Sequence, residues 1–129
     1  MSLLLMLISA LFSIADICLP PDNVQINNCL QANWIEYDFG NVRAGSIVEC
    51  DLVLKNTSTH PLKIQALIPG CSCVALKYRN KKIRPHQTLK VHIQYDTRNK
   101  PLGYMENSII LCVDELTNPM NFALKIELI

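Results

Sequence analysis

The chain has 129 residues, is 50% hydrophobic and carries a formal charge of +1. That length holds one hydrophobic core with no room for a second domain, and the apolar share excludes a disordered main body. So near a balance of charge, no global field draws the protein to nucleic acid or an anionic membrane, and a charged partner must be met by a local patch.

Leu3 to Ala15 (LLLMLISALFSIA) is an unbroken run of apolar and small residues that stops at Asp16. It is too short to cross a bilayer comfortably and suits the apolar region of an export signal. Ser13 and Ala15 stand where an Ala-x-Ala-like cleavage site needs small residues, which makes Asp16 the first mature residue. Residues 1–15 are therefore read as a signal peptide, with a retained anchor as the alternative. Cys18 raises a lipidated N-terminus as another route to the membrane, but Asp16 and Ile17 stand where that processing wants small residues. Cys18, Cys29, Cys50, Cys71, Cys73 and Cys112 all follow the cleavage point. An exported chain can oxidise them, and sequence alone does not choose the pairing.

Residues 16–33 contain Pro20-Pro21, Asn23, Asn27 and Asn28 with little periodicity and read as an irregular leader. From Trp34 the chain alternates with period two. Ile35, Tyr37 and Phe39 oppose Glu36 and Asp38, before a turn signal at Asp38-Phe39-Gly40-Asn41. Val48, Cys50, Leu52 and Leu54 then share a face, closed by Asn56-Thr57-Ser58-Thr59. That triplet start, Asn56-Thr57-Ser58, matches a glycosylation acceptor but reads better as a turn. Leu62, Ile64, Ala66 and Ile68 form the next inward set, up to Pro69-Gly70, and a short segment spans Val74 to Tyr78. Leu89, Val91, Ile93 and Tyr95 follow, then an apolar-rich run from Asn107 to Val113, then Met120, Phe122, Leu124, Ile126 and Leu128. The spacing predicts an all-β domain over residues 34–129, a seven-stranded antiparallel Ig-like β-sandwich behind the N-terminal apolar signal segment. Up-and-down succession puts the loops Gly40 to Ser46, Gly70 to Cys73 and Thr97 to Gly103 at one end. Thr57 to Pro61, Arg79 to Gln87 and Asp114 to Pro119 fall at the other.

Tyr37-Asp38-Phe39-Gly40-Asn41-Val42, Lys55-Asn56-Thr57 with Pro61-Leu62-Lys63-Ile64, Gly70-Cys71-Ser72-Cys73, Ile83-Arg84-Pro85 and the Asp114 to Pro119 loop come in a recognisable order. As a set they resemble a bacterial domain-of-unknown-function family of exported Ig-like proteins containing Cys-x-Cys. That family is similar in fold to the ASH/HYDIN and major-sperm-protein domains. The resemblance covers Trp34 to the C-terminus. It implies a seven-stranded sandwich without known catalytic activity, frequent in envelope proteins of Bacteroidetes and related bacteria, and so a location in the periplasm or cell envelope. Two positions depart from the family pattern: His86 stands where Gly often follows the Pro of Ile-x-Pro, and Val74 stands where a small residue such as Thr follows the second cysteine.

Cys71 and Cys73 are the candidate thiol site. At this spacing two thiolates can grip a soft ion such as Cu(I) or close a short, readily reduced disulfide, and the bland alternative is a pair that only fills a strand end. Arg43, Arg98 and Lys100 belong to loops at the same end, where cations favour a thiolate. A fuller zinc site is not expected, because His60 and His86 fall at the opposite end and His92 lies on an outward face. Cys50 and Cys112 should differ in height and remain unbonded. Lys77, Arg79, Lys81, Lys82 and Arg84 form a candidate anion contact for an acidic protein patch, a glycan or a lipid headgroup, with a merely solvated loop as the alternative. No aromatic platform supports nucleic-acid binding, and no nucleophile and base can be assembled. The sequence is thus read as a non-catalytic exported binding or assembly module, not an enzyme, without a cofactor and with an envelope protein as partner. A thiol-redox or Cu(I)-handling protein is the alternative.

Overall fold

The computed structural model describes residues 24–114 and 118–129. The signal peptide at 1–15, its cleavage site and Cys18 lie outside those residues. Alternation of apolar and polar side chains produces strands β1 (Val24–Gln25), β2 (Leu30–Ala32), β3 (Glu36–Val42), β4 (Ile47–Asn56) and β5 (Leu62–Pro69). These are followed by β6 (Val74–Lys77), β7 (Lys82–Ile83), β8 (Thr88–Asp96), β9 (Gly103–Val113) and β10 (Met120–Leu128). They form two five-stranded sheets, ordered β1-β2-β4-β8-β6 and β3-β10-β9-β5-β7. Among the described residues there is no helix.

The inner faces interdigitate as the period-two pattern requires. Leu52 and Leu54 of β4 and Val91, Ile93 and Tyr95 of β8 are fully buried against Ile109 and Leu111 of β9 and Phe122, Leu124 and Ile126 of β10. A chain of aromatic contacts runs between the layers, with ring centroids at 5.5 Å for Trp34–Tyr37, 4.9 Å for Tyr37–Phe39 and 6.1 Å for Phe39–Tyr95. Trp34 also meets Phe122 edge-on at 6.1 Å, a geometry that aligns ring edges with ring faces.

The fold is the expected all-β sandwich, with five differences in detail. There are ten strands among the described residues rather than seven, and the additional ones, β1, β2 and β7, are two or three residues long. Two of these lie inside the segment 16–33 read as an irregular leader: Leu30 and Ala32 of β2 are completely buried, and Leu30 to Ala32 pair with Leu54 to Asn56 of β4. The sheets are not wholly antiparallel either, since β3 runs parallel to β10. The chain passes from β2 in one sheet to β3 in the other, and arrives there alongside the last strand.

The turn expected at Asp38-Phe39-Gly40-Asn41 is a bulge inside β3. Lys125 pairs with Asp38 and Glu127 with Asn41, so β3 carries one extra residue. Gly40 takes a positive φ of 73° and donates its N–H to Asp38 Oδ1 at 2.8 Å, a local bond that imitates a turn without ending the strand. A second bulge, at Gln65 between the pairs Ile64–Val113 and Ala66–Cys112, inverts the end of β5. Leu67 therefore packs on the core and Ile68 is 50% exposed, the reverse of strict alternation.

Among the described residues the loops divide between two ends as expected. At one, Thr97 N–H bonds Ser46 O at 3.0 Å and Asp96 N–H bonds Cys73 O at 2.9 Å. At the other, Asn56 is fully buried and its amide ties three segments together: Nδ2 donates to His60 O at 2.8 Å and Ile83 O at 2.9 Å, and Oδ1 accepts from Ser58 N–H at 2.9 Å. Buried in this way, Asn56 has no exposure to offer a glycan.

Candidate functional site

β6 and β7 end their respective sheets. The chain between them, residues 78–81, crosses from one layer to the other, and the basic residues lie along this crossing. Lys77 ends β6, Arg79 and Lys81 lie in the crossing, Lys82 opens β7 and Arg84 follows it. They line two grooves that share Asn80. The first, of about 520 Å³, is bordered by Lys77, Tyr78, Arg79, Asn80, Lys90 and His92 among others. The second, of about 450 Å³, is bordered by Lys63, Asn80, Lys81, Lys82 and Arg84. Among the described residues no carboxylate lines either groove.

The structure thus gathers the whole expected anion contact along one edge of the sandwich and adds Lys63, Lys90 and His92. Those three come from β5 and β8, outside the basic run itself, and only sheet pairing brings them to it. Lys63 stands directly opposite Lys82 across the β5–β7 ladder, and Lys77 opposite His92 across β6–β8. Like charges in direct opposition weaken a sheet.

His92 is not simply solvated. Its Nδ1 lies 2.8 Å from Asp51 Oδ1 and its Nε2 3.4 Å from Glu49 Oε1, both carboxylates being on β4. The bond to Asp51, then that to Glu49, raises the His92 pKa above its ordinary value, and the same bond lowers that of Asp51. Lys90 Nζ also approaches Asp51, at 3.5 Å. The outer face of this sheet therefore grades from acidic on β4 to basic on β8 and β6.

β6 also leaves backbone groups toward the open edge. Asp96 N–H bonds Cys73 O, and antiparallel pairing alternates bonded and outward residues. Ala75 and Lys77 thus bond β8, while the N–H of Leu76 and the carbonyls of Val74 and Leu76 face away from the sheet. This open edge runs directly into the first groove at Lys77 and Tyr78.

At the other end, Cys71 and Cys73 are joined in a disulfide with Cα atoms 5.1 Å apart. In this state neither sulfur is a thiolate for a soft cation. Gly70 makes the loop possible: its N–H bonds Ser108 O at 2.7 Å, and a Cβ there would sit 2.9 Å from that oxygen. Of the three cations expected nearby, Lys100 reaches the pair, its Nζ lying 3.3 Å from Cys71 Sγ. Arg98 is turned onto Asp96, with Nη2 2.7 Å from Oδ2, and its hydrogen bonds hold the Asp96 carboxyl down at about 2. Arg43 does not border the small groove formed by Ser72, Cys73, Asp96, Arg98, Asn99 and Lys100.

Cys50 and Cys112 are unbonded, as is Cys29. Burial, with a smaller contribution from Asp51, pushes the Cys50 thiol up to about 12. Among the described residues no group of three or more His, Cys, Asp or Glu side chains is placed to hold a metal ion.

Two stacked sheets with a parallel pairing of the first long strand on the last define an Ig-like sandwich of the PapD-like kind. The ASH / PapD-like domain of human CEP192 superposes with a TM-score of 0.65 at 16% identity, over 86% of this chain and 92% of that one. A protein of unknown function from Porphyromonas gingivalis W83 gives a TM-score of 0.68 at 14% identity, over 87% of this chain and 50% of that one. A family 123 glycoside hydrolase from Clostridium perfringens gives 0.64 at 14% identity, over 73% of this chain, but the match spans only 23% of that enzyme. At these identities the likeness is one of fold. No curated protein matches the chain. Residues 30–128 match the family described as protein of unknown function (DUF1573), and the chain belongs to that family.

Proposed function

We propose that this protein is an exported, non-catalytic binding module of the bacterial cell envelope that takes an extended acidic segment of a partner protein along β6. One observation carries the reading: the open edge of β6 continues into a groove lined by Lys77, Arg79, Lys90 and His92. Backbone N–H and C=O groups on a strand edge pair with another peptide chain, and cations beside them select for acidic side chains on it. An anionic glycan or lipid headgroup would use the cations and leave the strand edge idle. The opposed Lys63–Lys82 pair supports the reading, because an anion docked there would offset its repulsion. Export is supported by the apolar run at Leu3 to Ala15 and by the Cys71–Cys73 disulfide, which persists in oxidising compartments. No cofactor, nucleic acid or catalytic residue enters the proposal, and membrane attachment would come only from a retained signal or a lipidated Cys18.

Calorimetric titration with acidic peptides of extended conformation tests it. Binding should weaken at least tenfold in a Lys77→Glu/Arg79→Glu variant and fall with added salt. Equal binding of a sulfated glycan and the peptide, with no response from β6 amides, would sink the proposal and leave the cations as guards of an exposed edge.

A further inference from the structure

The disulfide end carries chemistry independent of the edge-binding reading. The two sulfurs are not equivalent. Cys71 Sγ receives two donors, Lys100 Nζ at 3.3 Å and the Cys73 backbone N–H at 3.1 Å. Cys73, but not Cys71, borders the groove formed with Ser72, Asp96, Arg98, Asn99 and Lys100. The loop carrying Lys100 is set by its own backbone, since Lys100 N–H bonds Thr97 O at 3.2 Å and Asn99 takes a φ of 64°. Thr97 is fully buried and holds Ser46, so the ammonium is delivered from an anchored turn.

We propose that Cys71–Cys73 is a directional thiol–disulfide exchange site, attacked at Cys73 by an incoming thiolate and releasing Cys71 as the leaving group. The attacking sulfur forms a bond to Cys73 Sγ while the Cys71–Cys73 bond breaks. The electron pair of that bond departs on Cys71 Sγ as a thiolate, next to the Lys100 ammonium and the Cys73 N–H. A second thiolate then displaces Cys73 from the mixed disulfide. Two thiols are thereby oxidised to one disulfide, and the protein is left as a dithiol. A leaving sulfur of lower pKa leaves faster, and a neighbouring ammonium lowers that pKa. Arg98 does not share this task, because Asp96 engages its guanidinium. The substrate class is a thiolate, from a small molecule or from a dithiol protein.

Oxidised protein is exposed to excess glutathione in one arm and to reduced thioredoxin in the other. Both are quenched by alkylation, and the adduct is located by fragment-ion sequencing of the peptide holding Cys71 and Cys73. The incoming thiol should be found on Cys73 and the alkyl group on Cys71, and the faster arm identifies the source. Lys100→Met should slow the first exchange by about 3–10-fold. In a Cys73→Ser variant, alkylation of Cys71 should have its pH midpoint below the ordinary thiol value of about 8.5, and adding Lys100→Met should return it upward. An adduct on Cys71, an even distribution between the two sulfurs, or a rate and pH profile indifferent to Lys100 would overturn the proposal. Exchange no faster than in an oxidised Gly-Cys-Ser-Cys peptide would do the same.

Discussion

Replacing His86 by glycine should stabilise the protein. Arg84, Pro85, His86 and Gln87 form a tight turn in which Gln87 N–H bonds Arg84 O at 3.0 Å and His86 takes a φ of 62°. Proline sets the first central position and the second demands the left-handed region, the arrangement that ordinarily selects glycine. A residue bearing a Cβ costs about 1–2 kcal/mol there, and the greater freedom of glycine in the unfolded chain takes back about 0.5–1. The side chain of His86 is exposed, so little packing is lost with it. The backbone bond from His86 N–H to Asn56 O at 2.8 Å survives the change. The net gain should be about 0.5–1 kcal/mol, or a rise of several degrees in Tm for a domain of this size. Urea unfolding with an unchanged m-value measures it. His86→Ala is the control: it keeps the Cβ and should stay near wild type. If the glycine variant is no more stable than the alanine variant, the strain argument is wrong.

Gly70→Ala should destabilise the fold by about 1–3 kcal/mol, because the new methyl would press on the Ser108 backbone oxygen and push the Cys71–Cys73 loop off β9; the urea midpoint reports it. Asn56→Ala removes the amide that holds Ser58, His60 and Ile83, and should cost about 2–4 kcal/mol with faster amide exchange in residues 57–61 and 83–87. For His92, the folded pKa lies above the unfolded one, so its pairing with Asp51 and Glu49 contributes fully below the unfolded value of about 6.5 and is lost as pH rises through the folded midpoint. NMR titration should place the His92 midpoint above that of a free histidine, and Asp51→Asn should lower it; a midpoint unmoved by Asp51→Asn would refute the pairing.

How far the sequence speaks depends on whether a signal is local. β4, β8 and β10 alternate without interruption, and their inward residues can be named one by one because each pairs over its length, without a register shift, with one long antiparallel neighbour. β1 and β2 escaped because elements of two or three residues carry no period, and Leu30 and Ala32 enter the core only through pairing with β4. At Gly40 the local turn chemistry is legible in the sequence but its consequence is not: whether an Asp-x-Gly bend ends a strand or bulges it is decided by β10, far away in the chain. The Gln65 bulge is of the same kind, and one inserted residue exchanges Leu67 for Ile68 at the core. The parallel pairing of β3 with β10 leaves no mark in either segment. At the candidate sites, counting strands sufficed to bring the 97–103 loop to the Cys71–Cys73 loop. It did not distinguish Lys100, which reaches Cys71, from Arg98, which turns to Asp96. On the basic edge, the cations contiguous in sequence were legible, whereas Lys63, Lys90 and His92 join them only through sheet register.

The central claim is that another polypeptide completes the sheet beyond β6, and amide hydrogen exchange at Leu76 measures that directly. With a saturating acidic peptide the Leu76 amide, which faces the open edge, should become strongly protected. Those of Ala75 and Lys77, already bonded to β8, should change little. Protection absent at Leu76, or spread equally over all three, would mean that the partner does not add a strand there.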